Sequence, residues 1–194
     1  MRLPEELTTP RLRLRRPRAD DAAFLHTLFS DPEVVRFLSF RPLETREDAR
    51  GILERWRLVW RQSGGELPAG ETGASLTYVV QPTGEGPIGT LSVAAGRYGY
   101  ELAYALARFA WGRGYMPEAV KAMSDWLLSH GVWRVFATCH VDNVGSQRAL
   151  EKAGFEREGR MRRYFTFPNL GPEPADGYLY ARVREPQSGR ATEE

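Results

Sequence analysis

One stretch of this sequence, residues 100–155, restricts the possible folds more than any other. Residues 100–106 are predicted to form a strand, and a turn with two glycines follows at 111–115. A predicted helix opens at Pro117, directly after that turn. The first N–H groups of a helix lack partners and lie at the positive end of its dipole, and glycines let a phosphate approach the backbone closely. The arrangement therefore predicts an anion-binding site.

The glycine pair itself is weak evidence, because a second Gly-x-Gly triplet occurs at Gly84-Glu85-Gly86. That triplet stands beside Pro82 and Pro87 and predicts a hairpin turn. What distinguishes Gly112-Arg113-Gly114 is its place between a strand and a helix. The turn lacks the Gly-Lys-Ser/Thr ending of a P-loop and the third glycine of a dinucleotide fingerprint, which argues against a nucleotide-binding protein.

Periodicity and helix caps predict the remaining elements. Thr45 and Asp48 have the form of a capping box at the start of a helix, and Asn143 has the form of an N-cap. The elements predict an α/β fold with a mixed sheet in one domain, 1–185, followed by a disordered tail, 186–194. In chain order they are a strand at 11–15, two or three helices, strands at 75–81, 87–95 and 100–106, the helix from 117, a strand at 134–141, a short helix, and strands at 155–167 and 177–184.

Composition excludes several classes of function. The 27 basic and 25 acidic residues nearly cancel, so no overall field favours nucleic acid. Cys139 is the only cysteine, which excludes an internal disulfide and fits a reducing compartment. No apolar run approaches the length of about 18 residues that a membrane span needs, and no His or carboxylate set has metal-ligand spacing. We expect a cytoplasmic protein with no metal, no nucleic acid and no membrane partner.

Three motifs resemble those of the GNAT superfamily of N-acetyltransferases, namely residues 100–104, 111–119 and 143–155. The segments 9–15, 31–34 and 176–181 resemble the branch that acetylates the N-termini of ribosomal proteins (RimJ/RimL-like), so the resemblance covers nearly the whole chain. It implies a single-domain α/β GNAT fold. The mixed, mostly antiparallel sheet of about seven strands would splay between the fourth and fifth strands, flanked by about four helices.

The resemblance also implies a reaction and a cofactor site. Acetyl-CoA would be the co-substrate, and its acetyl group would pass to an amine, either a protein N-terminal α-amine or a small-molecule amine. Homodimers are common in this branch, and the sequence leaves the oligomeric state open. The pantetheine arm would fill the gap in the sheet. The resemblance assigns cofactor contacts to Ala105, Leu106, Ala107, Trp111, Gly112, Arg113, Gly114, Tyr115, Asn143 and Ser146.

Two residues are candidates for the chemistry. Glu101 stands where many relatives keep a general base, although it is equally explained as an ordinary strand carboxylate. Many relatives protonate the leaving thiolate with a tyrosine, but Leu150 stands at that position here. Ser146 is the available substitute, as in the ribosomal-protein branch. The alternatives are water as the donor and a hydroxyl that only bonds the first helical turn. A non-catalytic acyl-CoA-binding module therefore remains an alternative function.

Other residues near these motifs have two interpretations each. Asn143 can cap its helix, contact the pantetheine amides, or do both. Cys139 is expected to be a buried structural thiol, with His140 on the opposite face of the strand and either exposed or at the end of the sheet. Tyr104, Tyr164 and Tyr180 are expected to line the acceptor groove or to belong to an aromatic core.

Overall fold

The computed structural model describes residues 1–67, 75–96 and 98–185, so the predicted tail at 186–194 lies outside the described residues. All eight named strands belong to one sheet. The strands are β1 (Glu6–Thr8), β2 (Leu12–Arg15), β3 (Ser75–Pro82), β4 (Gly89–Gly96), β5 (Gly99–Leu106), β6 (Arg134–His140), β7 (Glu156–Thr166) and β8 (Pro174–Val183).

The helices occupy two parts of the chain, one before β3 and one after β5. Short 3-10 turns at Ala19–Asp21 and Arg108–Ala110 precede α1 and the glycine turn. No helix among the described residues is long and apolar enough to cross a membrane. The five α-helices are α1 (Ala22–Phe29), α2 (Pro32–Val35), α3 (Arg46–Ser63), α4 (Tyr115–Ser129) and α5 (Val144–Lys152).

The sheet has the strand order β1-β2-β3-β4-β5-β6-β8-β7, and every neighbouring pair is antiparallel except β5 and β6. That parallel pair is in register only at Tyr100 with Val135 and at Glu101 with Phe136. Beyond these residues the carboxyl-terminal halves of both strands separate. The predicted mixed, mostly antiparallel GNAT sheet with a splay between these two strands is confirmed.

The described residues contain one strand more than predicted. The additional strand, β1, has only three residues and forms because it pairs with β2 in a hairpin, which no periodicity within three residues can indicate. Three α-helices precede β3, where two or three were predicted, and α2 among them is a single turn whose N-cap is Asp31. With β1 counted, the predicted fourth and fifth strands are β5 and β6.

Helices cover both faces of the sheet, which follows from the alternation of side chains along each strand. Tyr100 and Leu102 of β5 belong to a core that includes residues of α4 and Leu150 of α5. Ala105, on the other face of β5, packs in a second core formed with α1 and α3. The gap between β5 and β6 therefore lies between two packed layers.

Helix caps fix where the two longer helices begin. Thr45 and Asp48 form the predicted capping box, with Thr45 Oγ1 accepting from the Asp48 N–H at 3.2 Å and Asp48 Oδ2 accepting from the Thr45 N–H at 2.9 Å. Helix α4 begins at Tyr115, two residues before the predicted start at Pro117. Its N-cap is Gly114, so the glycine turn leads directly into the helix.

Candidate active site

A cavity of about 430 Å³ lies where β5 and β6 separate. Its walls come from α2 and the loop after it, the second half of β5, the glycine turn, and the first turns of α4 and α5. Eight of the residues predicted to form the site line it: Ala105, Leu106, Trp111, Gly112, Gly114, Tyr115, Asn143 and Ser146. The lining does not include Glu101, Ala107 or Arg113.

The glycine turn has the backbone conformation that its sequence predicts. Gly112 and Gly114 have φ angles of 74° and 76°, in the left-handed region that glycine adopts without steric cost. A Cβ atom added to Gly112 would meet nothing within 4 Å, so the turn leaves open space beside its backbone. The turn therefore offers unpaired N–H groups and room for an anion at the start of α4.

Arg11, just before β2, holds the other side of this turn. Its Nη1 donates to the carbonyl of Arg113 at 3.1 Å, and its Nη2 donates to the carbonyl of Gly114 at 3.2 Å. In a trans peptide the C=O and N–H point in opposite directions, and the described residues include no cis bond. The N–H groups of Gly114 and Tyr115 consequently point away from Arg11. Sequence reasoning missed this residue, because Arg11 showed only the alternation of a strand.

Glu118 completes this contact. Its carboxylate accepts from Thr9 Oγ1 at 2.6 Å, from the Arg11 N–H at 3.1 Å and from Arg11 Nε at 2.6 Å. Burial alone would raise the Glu118 pKa, but the bonds from Thr9 and Arg11 outweigh it and hold that pKa below its ordinary value. The carboxylate therefore stays charged and fixes the Arg11 guanidinium under the turn.

The edge of β5 that faces the gap is formed by alternate residues. The Ala107 N–H donates to the Ile88 carbonyl at 2.8 Å, so it faces β4. Backbone groups alternate in direction along a strand, which directs those of Ala105 toward β4 and those of Tyr104 and Leu106 toward the gap. The Ala107 carbonyl accepts from the Ala110 N–H at 2.9 Å, so both backbone groups of Ala107 already have protein partners.

The indole of Trp111 covers part of this edge. Its Nε1–H donates to the Leu106 carbonyl at 2.7 Å, which joins the glycine turn to the end of β5. The Leu106 N–H and the backbone groups of Tyr104 remain as the polar groups directed toward the gap. They form a short strand edge to which an extended chain with amide groups can add.

Asn143 is the N-cap of α5, as predicted. Its Oδ1 accepts from the Ser146 N–H at 3.1 Å. Because the oxygen is used in the cap, a ligand contact by this side chain would depend on the Nδ2 amino group. Asn143 lines the cavity, so both predicted roles are compatible with its position.

Three polar side chains from different elements meet at Ser146, and two of them, Tyr104 and Ser146, line the cavity. The Tyr104 hydroxyl on β5 lies 2.9 Å from Ser146 Oγ on α5 and 3.3 Å from the Ser146 carbonyl. The thiol of Cys139 on β6 is buried, which raises its pKa to about 11, and a hydrogen bond with Ser146 opposes this shift. The prediction for Tyr104 as groove lining or aromatic core missed its contact with Ser146.

Glu101 lies apart from this cluster. It is half-buried at the point where β5 and β6 still pair, on the face of β5 opposite Tyr104. Burial raises the Glu101 pKa, and a 3.3 Å hydrogen bond from Thr138 Oγ1 opposes the shift. The structure thus places the proposed base and the proposed acid on different faces of the sheet.

His140 is the last residue of β6, on the face opposite Cys139, and both of these predictions are confirmed. Of the two predicted alternatives, exposure or the end of the sheet, the second holds, since only 5% of the residue is exposed. Its ring stacks on Phe37 with centroids 5.0 Å apart and packs edge-on against Phe167 at 4.9 Å. The Asp142 N–H donates to Nδ1 at 3.0 Å, so the neutral ring carries its proton on Nε2.

The loop after α2 is held over this side of the sheet by Asn169. Its Nδ2 donates to the carbonyls of Val35 and Phe40 at 2.7 and 2.8 Å. Five residues between 33 and 38 line the cavity, and Phe37 of this segment also stacks on His140.

Comparisons with known proteins agree with this arrangement. A model of the acetyltransferase (GNAT) domain matches residues 11–156. The uncharacterized N-acetyltransferase YoaA of Bacillus subtilis is 27% identical over 180 residues, which cover 92% of this chain and 98% of YoaA. The uncharacterized N-acetyltransferase p20 of Bacillus licheniformis is 29% identical over 163 residues, covering 82% and 87% of the two chains.

Solved structures share the fold at low identity. A GNAT acetyltransferase from Bacillus anthracis superposes with a TM-score of 0.76 at 23% identity, covering 92% of this chain and 98% of its own. The ribosomal L7/L12 α-N-protein acetyltransferase RimL, in complex with coenzyme A, gives 0.76 at 21% identity with the same coverage. The microcin self immunity acetyltransferase MccE, in complex with acetyl-CoA and AMP, gives 0.75 at 16% identity, covering 90% and 93%. Identities this low establish the fold alone.

Proposed function

The chain belongs to the acetyltransferase (GNAT) family of N-acetyltransferases, and we propose from this that it moves the acetyl group of acetyl-CoA to a primary amine by direct attack. The observation that carries the proposal is the cavity in the splayed sheet, which joins the glycine turn of α4 to the first turn of α5. The glycine turn would hold a phosphate, and the edge of β5 along the cavity would pair with amide groups. The solved relatives RimL and MccE were obtained with coenzyme A and acetyl-CoA respectively.

The residues fit the parts of this co-substrate one by one. The N–H groups of Gly114 and Tyr115 would bind the pyrophosphate, while the edge of β5 at Tyr104 and Leu106 would pair with the pantetheine amides. The Leu106 N–H would stabilise the negative charge that develops on the thioester oxygen during attack. Asn143 would add a contact from its Nδ2 amino group.

Proton transfers accompany the attack, since the amine must lose a proton and the departing sulfur must gain one. We assign the first to Glu101, directly or through a water molecule, and the second to Ser146. An α-amino group, with a pKa of about 8, needs less help from a base at neutral pH than a lysine with a pKa of about 10.4. A protein N-terminus and a small-molecule amine both remain candidate acceptors.

The experiment that tests the proposal is colorimetric detection of free thiol released from acetyl-CoA. The acceptors are N-terminal peptides, amino acids, polyamines and aminoglycosides, and the control is the same mixture without acceptor. We expect release that depends on one class of amine, together with an acceptor mass increase of one acetyl group.

A second candidate function is a non-catalytic acyl-CoA-binding module. The observation that favours it is Leu150, fully buried at the position where many relatives keep a tyrosine. Binding of acetyl-CoA without thiol release across the whole panel would support this alternative over the enzyme.

A further inference from the structure

We propose that Tyr104 positions the hydroxyl of Ser146 as the proton donor to the departing thiolate. The inference rests on the proposed acetyl transfer and deepens it. The two residues are 42 positions apart in the chain, yet their oxygens lie 2.9 Å apart and both side chains line the cavity. Tyr104 on β5 would thus supply a phenol to the site, because α5 carries Leu150 where many relatives keep a tyrosine.

Two independent contacts hold Ser146 in place. Asn143 Oδ1 accepts from its backbone N–H at 3.1 Å, which fixes the first turn of α5. Tyr104 then holds the side chain, because its hydroxyl is a normal hydrogen-bond distance from Oγ. A serine hydroxyl with both constraints has little freedom to rotate, which is the condition for directed proton transfer.

Either hydroxyl can donate in this hydrogen bond, and the proposed step uses the form in which Tyr104 donates to Ser146 Oγ. Burial raises the Tyr104 pKa above its ordinary value, so the phenol keeps its proton throughout the neutral range. When Tyr104 donates to Ser146 Oγ, the proton of the serine must point elsewhere. The neighbouring Cys139 is also protonated, since burial raises its pKa to about 11. Neither neighbour is ionised near neutral pH, so neither removes the Ser146 proton as a base, and that proton stays available to the leaving sulfur.

The proton balance of the step is complete. The bond between the amine nitrogen and the carbonyl carbon forms, and the C–S bond breaks with its electron pair moving to sulfur. The Ser146 proton passes to sulfur while Ser146 Oγ takes up a proton from solvent water, and Tyr104 keeps its own proton and holds Oγ through the hydrogen bond. The amine has released one proton in the attack, so the number of protons balances.

The test compares Tyr104→Phe with Ser146→Ala and the double variant, using the acceptor that gives thiol release with the wild type. A general acid typically contributes about 100-fold or more, and we expect each single variant to lose at least about tenfold in kcat. The KM for acetyl-CoA should stay within about twofold, because the contact acts in the transition state. The double variant should lose no more kcat than the worse single variant, since both substitutions remove the same hydrogen-bonded proton donor.

Tyr78→Phe is the matched control. Tyr78 lies on β3 and is also buried, but it does not line the cavity. Its hydroxyl donates to the Pro4 carbonyl at 2.7 Å. It should lose some thermal stability with no change in kcat. This control separates the loss of a buried hydroxyl from the loss of a proton path.

Specific outcomes would overturn the inference. Wild-type kcat in folded Tyr104→Phe would do so, as would losses that multiply in the double variant. If Tyr104→Phe does not fold, Ser146→Ala tests the same bond from the other side, and an unchanged kcat there has the same meaning. A wild type that releases no thiol with any acceptor would overturn the proposed function. An active wild type whose variants keep full kcat would overturn only the role of Tyr104.

Discussion

Arg11 Nε and Glu118 Oε2 lie 2.6 Å apart, joining residues that are 107 positions apart at the base of the glycine turn. The same guanidinium donates to the carbonyls of Arg113 and Gly114. Because carbonyl and N–H oppose each other in a trans peptide, this ion pair determines where the N–H groups of the turn point. The predicted anion site would thus be preorganised by Arg11, a residue that does not line the cavity.

Arg11→Met is expected to weaken acetyl-CoA binding by about tenfold, since charge-assisted hydrogen bonds contribute about 1.5–3 kcal/mol and the turn loses its fixed orientation. Isothermal titration of acetyl-CoA measures the effect. Arg50→Met is the control, because Arg50 pairs with Glu47 on the exposed surface of α3 and should leave affinity unchanged. Equal affinities for both variants would contradict an orienting role for Arg11.

Gly112→Ala tests the approach of a phosphate to the turn. Its φ of 74° makes any side chain cost about 1–2 kcal/mol, while the added Cβ meets no protein atom. Gly84 is the control, with a φ of 78° and equally open space in the β3–β4 turn. We expect similar losses of thermal stability in Gly84→Ala and Gly112→Ala, with reduced acetyl-CoA affinity only in the second. Unchanged affinity of folded Gly112→Ala would reject the phosphate site.

The two roles of Asn143 can be separated by two substitutions. Asn143→Ala removes the cap and should cost about 1 kcal/mol in the free energy of unfolding. Asn143→Asp keeps an oxygen for the Ser146 N–H but loses the Nδ2 group, so stability should hold while acetyl-CoA affinity falls. Thr45→Ala, which removes the cap of α3, should lower stability without changing affinity. Wild-type acetyl-CoA affinity in Asn143→Asp would mean that Asn143 only caps α5 and does not contact the cofactor.

Glu101→Gln should lower turnover most at pH values below the pKa of the acceptor amine, where the protonated amine most needs a base. The measurement is kcat/KM against pH for both proteins with the same acceptor. Profiles that differ only by a constant factor would argue against Glu101 as the base.

The same substitution has a predicted effect on stability, with a definite sign. Burial raises the folded-state pKa of Glu101 above 4.5, so the wild type loses stability as pH rises through that shifted range. Glu101→Gln should therefore be more stable than the wild type at pH 7, and this gain should vanish below pH 4.5. Glu158 gives the opposite case, because the Arg134 guanidinium lowers its pKa, and Glu158→Gln should be less stable at pH 7. Thermal unfolding at both pH values checks the two signs.

Local features of the site could be predicted from the sequence because each depends on a few neighbouring residues. The left-handed turn needs the glycines at 112 and 114, and the caps need Thr45 and Asn143 with their partners three residues on. The splay between β5 and β6 came with the family resemblance, since no pattern within one strand states where its pairing stops.

Contacts between distant segments could not be predicted. His140 lies at the end of its strand as predicted, but its burial by Phe37 and Phe167, which lie 103 and 27 positions away in the chain, could not be predicted. The Tyr104–Ser146 bond needed the relative placement of β5 and α5, which hydrophobic periodicity does not contain. Such contacts depend on packing geometry and not on the local sequence. Each of these residues also had a plausible local explanation, which concealed its distant contact.

Calorimetric titration of acetyl-CoA, with ATP and NAD titrated in parallel, tests whether the cavity between β5 and β6 binds this cofactor. We predict one acetyl-CoA site per chain with a Kd of about 1 μM, or about −8 kcal/mol, from which free coenzyme A displaces acetyl-CoA and ATP and NAD do not. No binding of acetyl-CoA, or binding of ATP or NAD with equal affinity, would contradict the assignment of the cavity between β5 and β6.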